Sequence, residues 1–553
     1  MHVTHEPSRL ASGILLDWCD GVTSAQQLRV HMANALSDGL AHPMVVRLSR
    51  VANDDAPQHS HAGMMELLGR CGILALLTPV LDATVTHMVL PSTIVKVLHD
   101  SYPIAFRRRL GANKSLVRRF WVGFFSRPQN REWALQHPEL RGKGPDDLAT
   151  TVPCSIHEDA GPYTKTSSCN CVSLSSLIGD GDEKITKFLS FSYIKSAGSA
   201  PTGVAWEKLL ADFDCLAAGS RADGPIAQDA DGTMWRFVLL VAKGDEDVHC
   251  NEWGLPHYGG QEVCSDCLAN RVERPFTDLR ELSAWRPTER MPFITYMARV
   301  RVPLHPLMAS RYCTRWFAIS DLMHMMDCKG VAALACGGVL FGLLKQRRLG
   351  ANKEERLKVI NQEMKQWYDD HPGTHRLPPL LLKNATCNGW ADLSGPAIKA
   401  ANTRAAAPVF KYLAHRFCDS DSDYDRCVRT VMDNLVRFYD ILYTAPMFLE
   451  DAQIGDLKRA CLDFGAAYQQ LRDIARVRGE LAWPVRPKVH RMQHAPMHAE
   501  IINPVFVQCY AEESLIGTTT KVWRRSAAGR YRRTVQETVL AKRLTGLLLR
   551  LEV

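Results

Sequence analysis

Two stretches decide the fold: Val152-Pro-Cys-Ser-Ile-His-Glu-Asp159 and Trp235-Arg-Phe-Val-Leu-Leu-Val-Ala-Lys-Gly-Asp245. Each reads as a strand that ends on a carboxylate. Phe237 to Ala242 is continuously apolar, as a strand buried on both faces must be. Between them Cys171–Ile178 alternates, with Val172, Leu174 and Ile178 on one face and serines on the other. Phe188–Ile194 alternates again through Leu189, Phe191 and Tyr193, so both segments have strand period. From Trp206 the period changes, and Leu209, Leu210, Phe213 and Leu216 join it on one helical face. The order is therefore β-β-β-α-β. A right-handed crossover through that helix returns the last strand parallel to the first, and makes Asp159 and Asp245 neighbours.

Paired carboxylates of this kind suit two-metal phosphoryl transfer, in which ions about 3.5–4 Å apart stabilise the attacking and leaving oxygens. Mg²⁺ takes hard oxygen ligands and keeps several waters, so a few carboxylates suffice. A third acid is expected from Cys509-Tyr-Ala-Glu512-Glu513-Ser-Leu-Ile-Gly517, where two glutamates open a helix after Asn503-Pro504. Acidic residues also favour a helix N-terminus through its dipole alone, so the residues leave both readings open. Asp321-Leu-Met-His324 offers a carboxylate and an imidazole one helical turn apart.

A separate cluster lies just past Asp245. Cys250, His257, Cys264 and Cys267 fall within 18 residues, as C-x6-H-x6-C-x2-C. Thiolates with an imidazole make a tetrahedral zinc site, and a closed four-ligand site is structural.

Around these segments, 553 residues are too many for one compact core, and two to four domains are expected. With 46% hydrophobic and 23% charged residues, burial is available and wholesale disorder is excluded. The net charge of +8 permits nucleic-acid binding. Residues 101–143 concentrate that charge, with Phe106, Phe120, Trp121, Phe124 and Phe125 interleaved among arginines and lysines. This composition suits a phosphate backbone, and equally a charged helix surface over an aromatic core. The tail from Lys521 is also basic, through Arg524, Arg525, Arg530, Lys542, Arg543 and Arg550. No basic-then-apolar leader opens the chain, and Gly330–Leu344 is too short and glycine-rich for a membrane span, so a soluble intracellular protein is expected. Seventeen cysteines, an odd number, point to reduced thiols or metal ligands. From about 305 to 500 the pattern is helical, with stripes Val428, Val431, Met432, Leu435, Phe438, Leu442 and Leu457, Cys461, Phe464, Tyr468, Leu471, Ile474.

Taken together, these residues resemble the eukaryotic DDE/DDD cut-and-paste transposases, the hAT superfamily among them. In that group an aspartate follows the first strand and another the fourth, and a helical insertion carries a C/D-x-x-H motif. A last acid then follows on a helix. Asp321-x-x-His324 is similar to the insertion motif, and Pro487-Lys-Val-His490-Arg-Met-Gln-His494 to the segment before the last acid. The resemblance covers about residues 150–545, and no zinc finger of the BED type precedes it. It implies an α/β fold with a ribonuclease-H-like mixed sheet interrupted by a large all-α insertion, after a mainly helical N-terminal region. The corresponding boundaries are 1–148, 149–304, 305–500 and 501–553. The implied activity is metal-dependent cleavage and joining of DNA, with integration of an element. Asp159, Asp245 and Glu513 (or Glu512) would hold Mg²⁺ or Mn²⁺, with Asp321 and His324 in support. Double-stranded transposon ends as partner, a homo-oligomer, no membrane and a nuclear location are implied with it. The alternative is a domesticated, inactive DNA-binding or scaffold descendant.

Overall fold

The computed structural model describes residues 9–37, 57–82, 84–195, 203–289, 305–314, 316–387, 389–395, 398–527 and 532–551. The chain is mixed α/β around a five-stranded mixed sheet. Its strands are β1 (Thr151–Pro162), β2 (Ser168–Ser176), β3 (Phe188–Lys195), β4 (Arg236–Gly244) and β5 (Ala318–Ser320). They lie in the order β3-β2-β1-β4-β5. The first three form an antiparallel meander, and β4 and β5 add in parallel to β1. The crossover from β3 to β4 is helix α1 (Gly203–Ala218), which buries Trp206, Leu209, Phe213 and Leu216. Four of the five strands are legible in the sequence, β2 and β3 by alternation and β4 by its continuous apolar run. β5 is not, because a three-residue strand carries too few side chains to show alternation, and it falls inside the segment expected to be purely helical.

A bulge in the β1–β4 pairing decides which residues meet at the strand ends. Cys154 pairs with Leu239, but Ser155 pairs with Val241, so β4 gains one residue. Such a bulge re-aims every side chain beyond it. Past it His157 pairs with Lys243, the last pair of the two strands, and counting two residues on from that pair reaches Asp159 on one chain segment and Asp245 on the other. Without the extra residue Gly244 would take that place.

The N-terminal helices and the sheet share one hydrophobic core, which runs from Leu15 through Val152, Phe191 and Leu239 to Leu549. The aromatics of 101–143 belong to it: Phe106, Phe120, Trp121 and Phe124 are buried. They are core side chains and offer no rings to a nucleic acid, while Arg118 and Arg119, on the helix of Phe120, Trp121 and Phe124, remain outside.

The second core is helical. Helices α2 (Asp423–Thr444) and α3 (Asp451–Val477) pack along one another and bury the two stripes, with Ile474 half-buried at the edge. Each fully buried apolar side chain contributes about 1.5–3 kcal/mol of transfer free energy. The apolar stretch Met323–Leu343, unlike the shorter run expected from the sequence, is long and apolar enough to cross a membrane by length and composition, and 78% of its most apolar window is buried inside the chain.

The chain then returns to the sheet. Helix α4 (Tyr510–Ser526) packs on β1 and β2, and α5 (Arg532–Leu551) packs on β3 and on the helix Arg9–Cys19. Gly161 permits the approach of α4, because a Cβ there would lie 2.6 Å from side-chain carbons of Ile516 and Thr520. The basic tail is partly interior. Lys542 and Arg543 are buried, Lys542 Nζ lies 4.3 Å from the Trp18 ring, and Arg543 and Arg550 both pair with Asp20. Those three are therefore structural, and Arg530 lies outside the described residues.

Candidate metal centres

Side chains alternate along a strand, so His157 and Asp159 share one face of β1 while Glu158 takes the other. The shared face meets α4. Asp159 is 6% exposed, and its Oδ1 accepts the Ala160 N–H at 2.6 Å. Burial pushes its carboxyl well above the usual carboxylate range, and the charges of Asp245 and Glu513 push it further. That triple crowding is the electrostatic signature of a site that wants a cation. Asp245 is fixed by its own turn: Oδ1 accepts the Val248 N–H at 2.8 Å, opening a π-turn over Val248–Glu252.

The 321–324 motif sits in the same place. Asp321 Oδ2 contacts His324 Nδ1 at 2.6 Å, and Oδ1 accepts the Cys509 N–H at 2.8 Å, tying the insertion to the start of α4. Burial opposes charge on Asp321, yet the hydrogen bonds with His324 hold its carboxyl below the ordinary value. Burial likewise opposes a charged His324, but Asp321, Glu513 and Asp245 raise its imidazole above the ordinary value. His324 Nε2 lies 3.3 Å from Glu513 Oε1, and ligand atoms of Asp159, His324 and Glu513 all lie within 4.8 Å of one another. Asp159, His324 and Glu513 thus form one cluster steadied by Asp321, whereas Asp245 lies outside that 4.8 Å spacing, near enough for its charge to act on Asp159 and His324.

Glu512 is not part of it. One helical step of about 100° turns it inward, where it is 1% exposed. There it pairs with Lys243 Nζ at very short range and with Lys187 Nζ at 3.0 Å. Burial would raise its carboxyl, but the two lysines hold it far below the ordinary glutamate value. Burial works against the charge of both lysines, and the Glu512 carboxylate offsets it, leaving Lys243 above its ordinary value and Lys187 below. His157 lies beside them with neither ring nitrogen hydrogen-bonded, and burial pushes it down to about 3. Sequence reasoning misses this buried layer, since Lys187, Lys243 and His157 carry no local signature.

Glu158, on the opposite face, is fully buried. It accepts hydrogen bonds from Trp253 Nε1 at 2.8 Å, Tyr193 Oη at 3.0 Å and Asn170 Nδ2 at 3.4 Å. Trp253 ends the turn that comes after Asp245, so this bond ties that turn to β1. Burial pushes the Glu158 carboxyl up to about 7.

The zinc ligands need correcting. Cys264 and Cys267 come together as expected, but Cys250 and His257 do not join them. Cys250 Sγ instead contacts the Pro256 carbonyl at 3.1 Å, and the exposed His257 accepts the Gly259 N–H through Nδ1. The partners are His490 and His494, from the segment before α4. All four are buried, with ligand atoms within 4.8 Å of one another. His490 Nε2 lies 3.3 Å from Cys267 Sγ and 3.2 Å from His494 Nε2. A tetrahedron with bonds of about 2.0–2.3 Å has edges of roughly 3.3–3.8 Å, so the donor set and its dimensions fit Zn²⁺. Burial works against a thiolate at Cys264, yet the Cys267 hydrogen bond and both histidines drive its thiol well below the ordinary value. A metal replaces protons in such a cluster. Nearness in sequence favours Cys250 and His257, but contact across 223 residues decides the ligand set. The signal available in the sequence is the i, i+4 histidine pair, two imidazoles on one helical face.

No protein-family model matches this chain, and comparison with curated proteins returned no match.

Proposed function

We propose that the chain is a divalent-metal-dependent polynucleotidyl transferase with a ribonuclease-H-like core, related to DDE/DDD transposases, that cleaves and joins DNA strands. The single observation carrying this reading is the convergence of Asp159, Asp245 and Glu513, from two adjacent parallel strands and a helix that comes 268 residues later. A carboxylate buried beside two others is costly without cations, so the arrangement is better explained by metal binding than by packing. Three carboxylates fit Mg²⁺ or Mn²⁺, and the bound ions would stabilise the attacking and leaving oxygens of an in-line phosphodiester displacement. Asp159, Asp245 and Glu513 supply the oxygen ligands. His324, held by Asp321, orients Glu513 and keeps a proton beside it. Cys264, Cys267, His490 and His494 hold a structural Zn²⁺ that fastens the loop after β4 to the segment entering α4. Exposed arginines such as Arg118 and Arg119 would meet the DNA backbone.

The test is nicking and strand transfer on duplex DNA by the full chain with Mn²⁺, compared with Asp159→Asn, Asp245→Asn and Glu513→Gln. Each variant is expected to lose cleavage while keeping the fold. Wild-type cleavage that survives all three substitutions would overturn the assignment. DNA binding without any cleavage would select the inactive scaffold instead.

A further inference from the structure

One helical turn from Glu513 lies a cluster that the proposed chemistry does not use. Asp327 ends the π-turn that carries His324, and Tyr510 begins the helix that carries Glu513. The two elements that build the acid site therefore also build this one, offset by a residue triplet on each. Asp327 is 1% exposed and accepts Tyr510 Oη at 2.7 Å on one oxygen and Tyr439 Oη, at very short range, on the other. Both tyrosines are thereby fixed.

Arg404, from the helix Ala400–Phe417, lies against this frame. Its guanidinium carbon is 4.6 Å from the Tyr443 ring centroid and 4.9 Å from the Tyr510 ring centroid, held between two aromatic faces. One Nη donates to Tyr443 Oη, and that hydroxyl donates to Gln508 Oε1 at 3.0 Å. Among the described residues no carboxylate oxygen lies within 4 Å of the Arg404 nitrogens, and its other N–H groups have no protein acceptor. Arg404 is half-buried, and Tyr443 is 38% exposed. A guanidinium oriented by two rings, with donors left over, presents the planar fork that suits a phosphate. The acid whose field reaches it, Asp327, is already committed to the two tyrosine hydroxyls.

We propose that Arg404, Tyr443 and Tyr510 form a phosphate subsite for the nucleic-acid strand that lies in the acid site, gripping a nucleotide next to the one whose phosphodiester reacts. The inference rests on the polynucleotidyl transferase reading and extends it to a positioning residue on the helical insertion. Tyr510 and Glu513 lie three residues apart on one helix, so the subsite and the acid site share α4. The insertion would then act directly on the substrate, since its Arg404 and Tyr443 complete a grip whose other half belongs to the acid helix.

The experiment uses the full chain and measures two quantities. One is anisotropy of a fluorescein-labelled oligonucleotide, single-stranded and duplex, titrated with salt in Ca²⁺. The other is nicking with Mn²⁺, separated into KM and kcat. Arg404→Gln is expected to weaken strand binding about tenfold, to lower the salt slope by about one, and to raise KM with kcat nearly unchanged. Arg404→Lys is expected to recover only part of this, because a point charge does not replace the fork. Tyr443→Phe keeps the ring but not the hydroxyl, and is expected to show a smaller KM effect with an unchanged melting temperature. It controls for variants that merely misfold. Unchanged binding, salt slope and KM in Arg404→Gln, beside an active wild type, overturns the subsite. Deoxynucleoside triphosphate binding that depends on Arg404 while oligonucleotide binding does not would make it a free-nucleotide site, also against the proposal. A folded wild type that neither binds nor nicks DNA refutes the function itself.

Discussion

Glu512→Gln and Glu513→Gln change adjacent residues identically and are expected to fail in opposite ways. The Glu512 carboxylate is 1% exposed and faces Lys187 Nζ at 3.0 Å as well as the closer Lys243. At an effective dielectric of about 20, a unit pair at this distance attracts by roughly 5 kcal/mol before desolvation is deducted. Removing one charge from a buried pair typically costs about 3–5 kcal/mol, because the partner stays buried and uncompensated. Glutamine keeps the shape and can still accept one lysine N–H, so about 3 kcal/mol is expected. For 553 residues this corresponds to a fall of roughly 3 °C in melting temperature. The Glu513 side chain is 39% exposed between His324 and the crowded Asp159, and its replacement should cost under about 1 kcal/mol. Mn²⁺-dependent nicking should reverse the order: Glu513→Gln loses at least on the order of a hundredfold, while Glu512→Gln, assayed well below its melting temperature, stays within a fewfold. The pH dependence gives an independent check. Because the folded Glu512 carboxyl lies below its ordinary value, its contribution is complete above pH 4.5 and is lost as pH falls from there toward the folded value. The acid limb of the wild-type stability curve should therefore flatten in Glu512→Gln. Equal stability of the two variants, or full activity in Glu513→Gln, refutes the division of roles.

Asp159 has the opposite linkage. Its folded carboxyl is raised, so its unfavourable contribution grows as pH rises from the unfolded value toward the folded one. In metal-free buffer at neutral pH, Asp159→Asn should melt higher than wild type, and added Mn²⁺ should raise the melting temperature of wild type only; a lower-melting variant would contradict the crowding. For zinc, elemental analysis should find one ion per chain, lost in Cys264→Ser and His494→Ala but retained in Cys250→Ser and His257→Ala; retention in the first pair would displace the site. Finally, Arg543→Ala should lower stability with no change in the salt dependence of DNA binding, whereas Arg119→Ala should reduce the salt slope by about one and leave stability within about 0.5 kcal/mol. A changed slope in Arg543→Ala would return the last helix to the DNA surface.

What the sequence makes legible is local. Phe237–Ala242 reads as a strand because burial on both faces imposes continuous apolar side chains, and Asp245 stands out just past it, as Asp159 does at the end of Val152–Asp159. Asp321 and His324 are visible because one helical turn joins them. Everything set by contact between distant segments is hidden. The bulge at Ser155 decides that Asp245 and not Gly244 meets Asp159, yet no residue type there announces it. His490 and His494 complete a site begun at Cys264, and only the folded path brings them there. Which of two adjacent glutamates faces Asp159 and His324 depends on the rotation of α4, which packs Ile516 and Thr520 against Gly161. The interleaved aromatics of 101–143 mislead in the other direction, since a basic helix over a ring-filled core and a base-stacking surface have the same composition.

The separation of the acids along the chain also has a consequence during synthesis. A ribosome adding roughly 5–20 residues per second delivers Glu512 and Glu513 about 13–54 s after Asp245, given the 268 residues between Asp245 and Glu513. Through that interval β1 and β4 are available, but Lys187 and Lys243 lack their counter-charge, and His490 and His494 have not emerged to join Cys264 and Cys267. Under the proposed function, all three acids would be present only once α4 has been made. A chain arrested before α4 would carry Asp159 and Asp245 without Glu513, and Lys187 and Lys243 without Glu512.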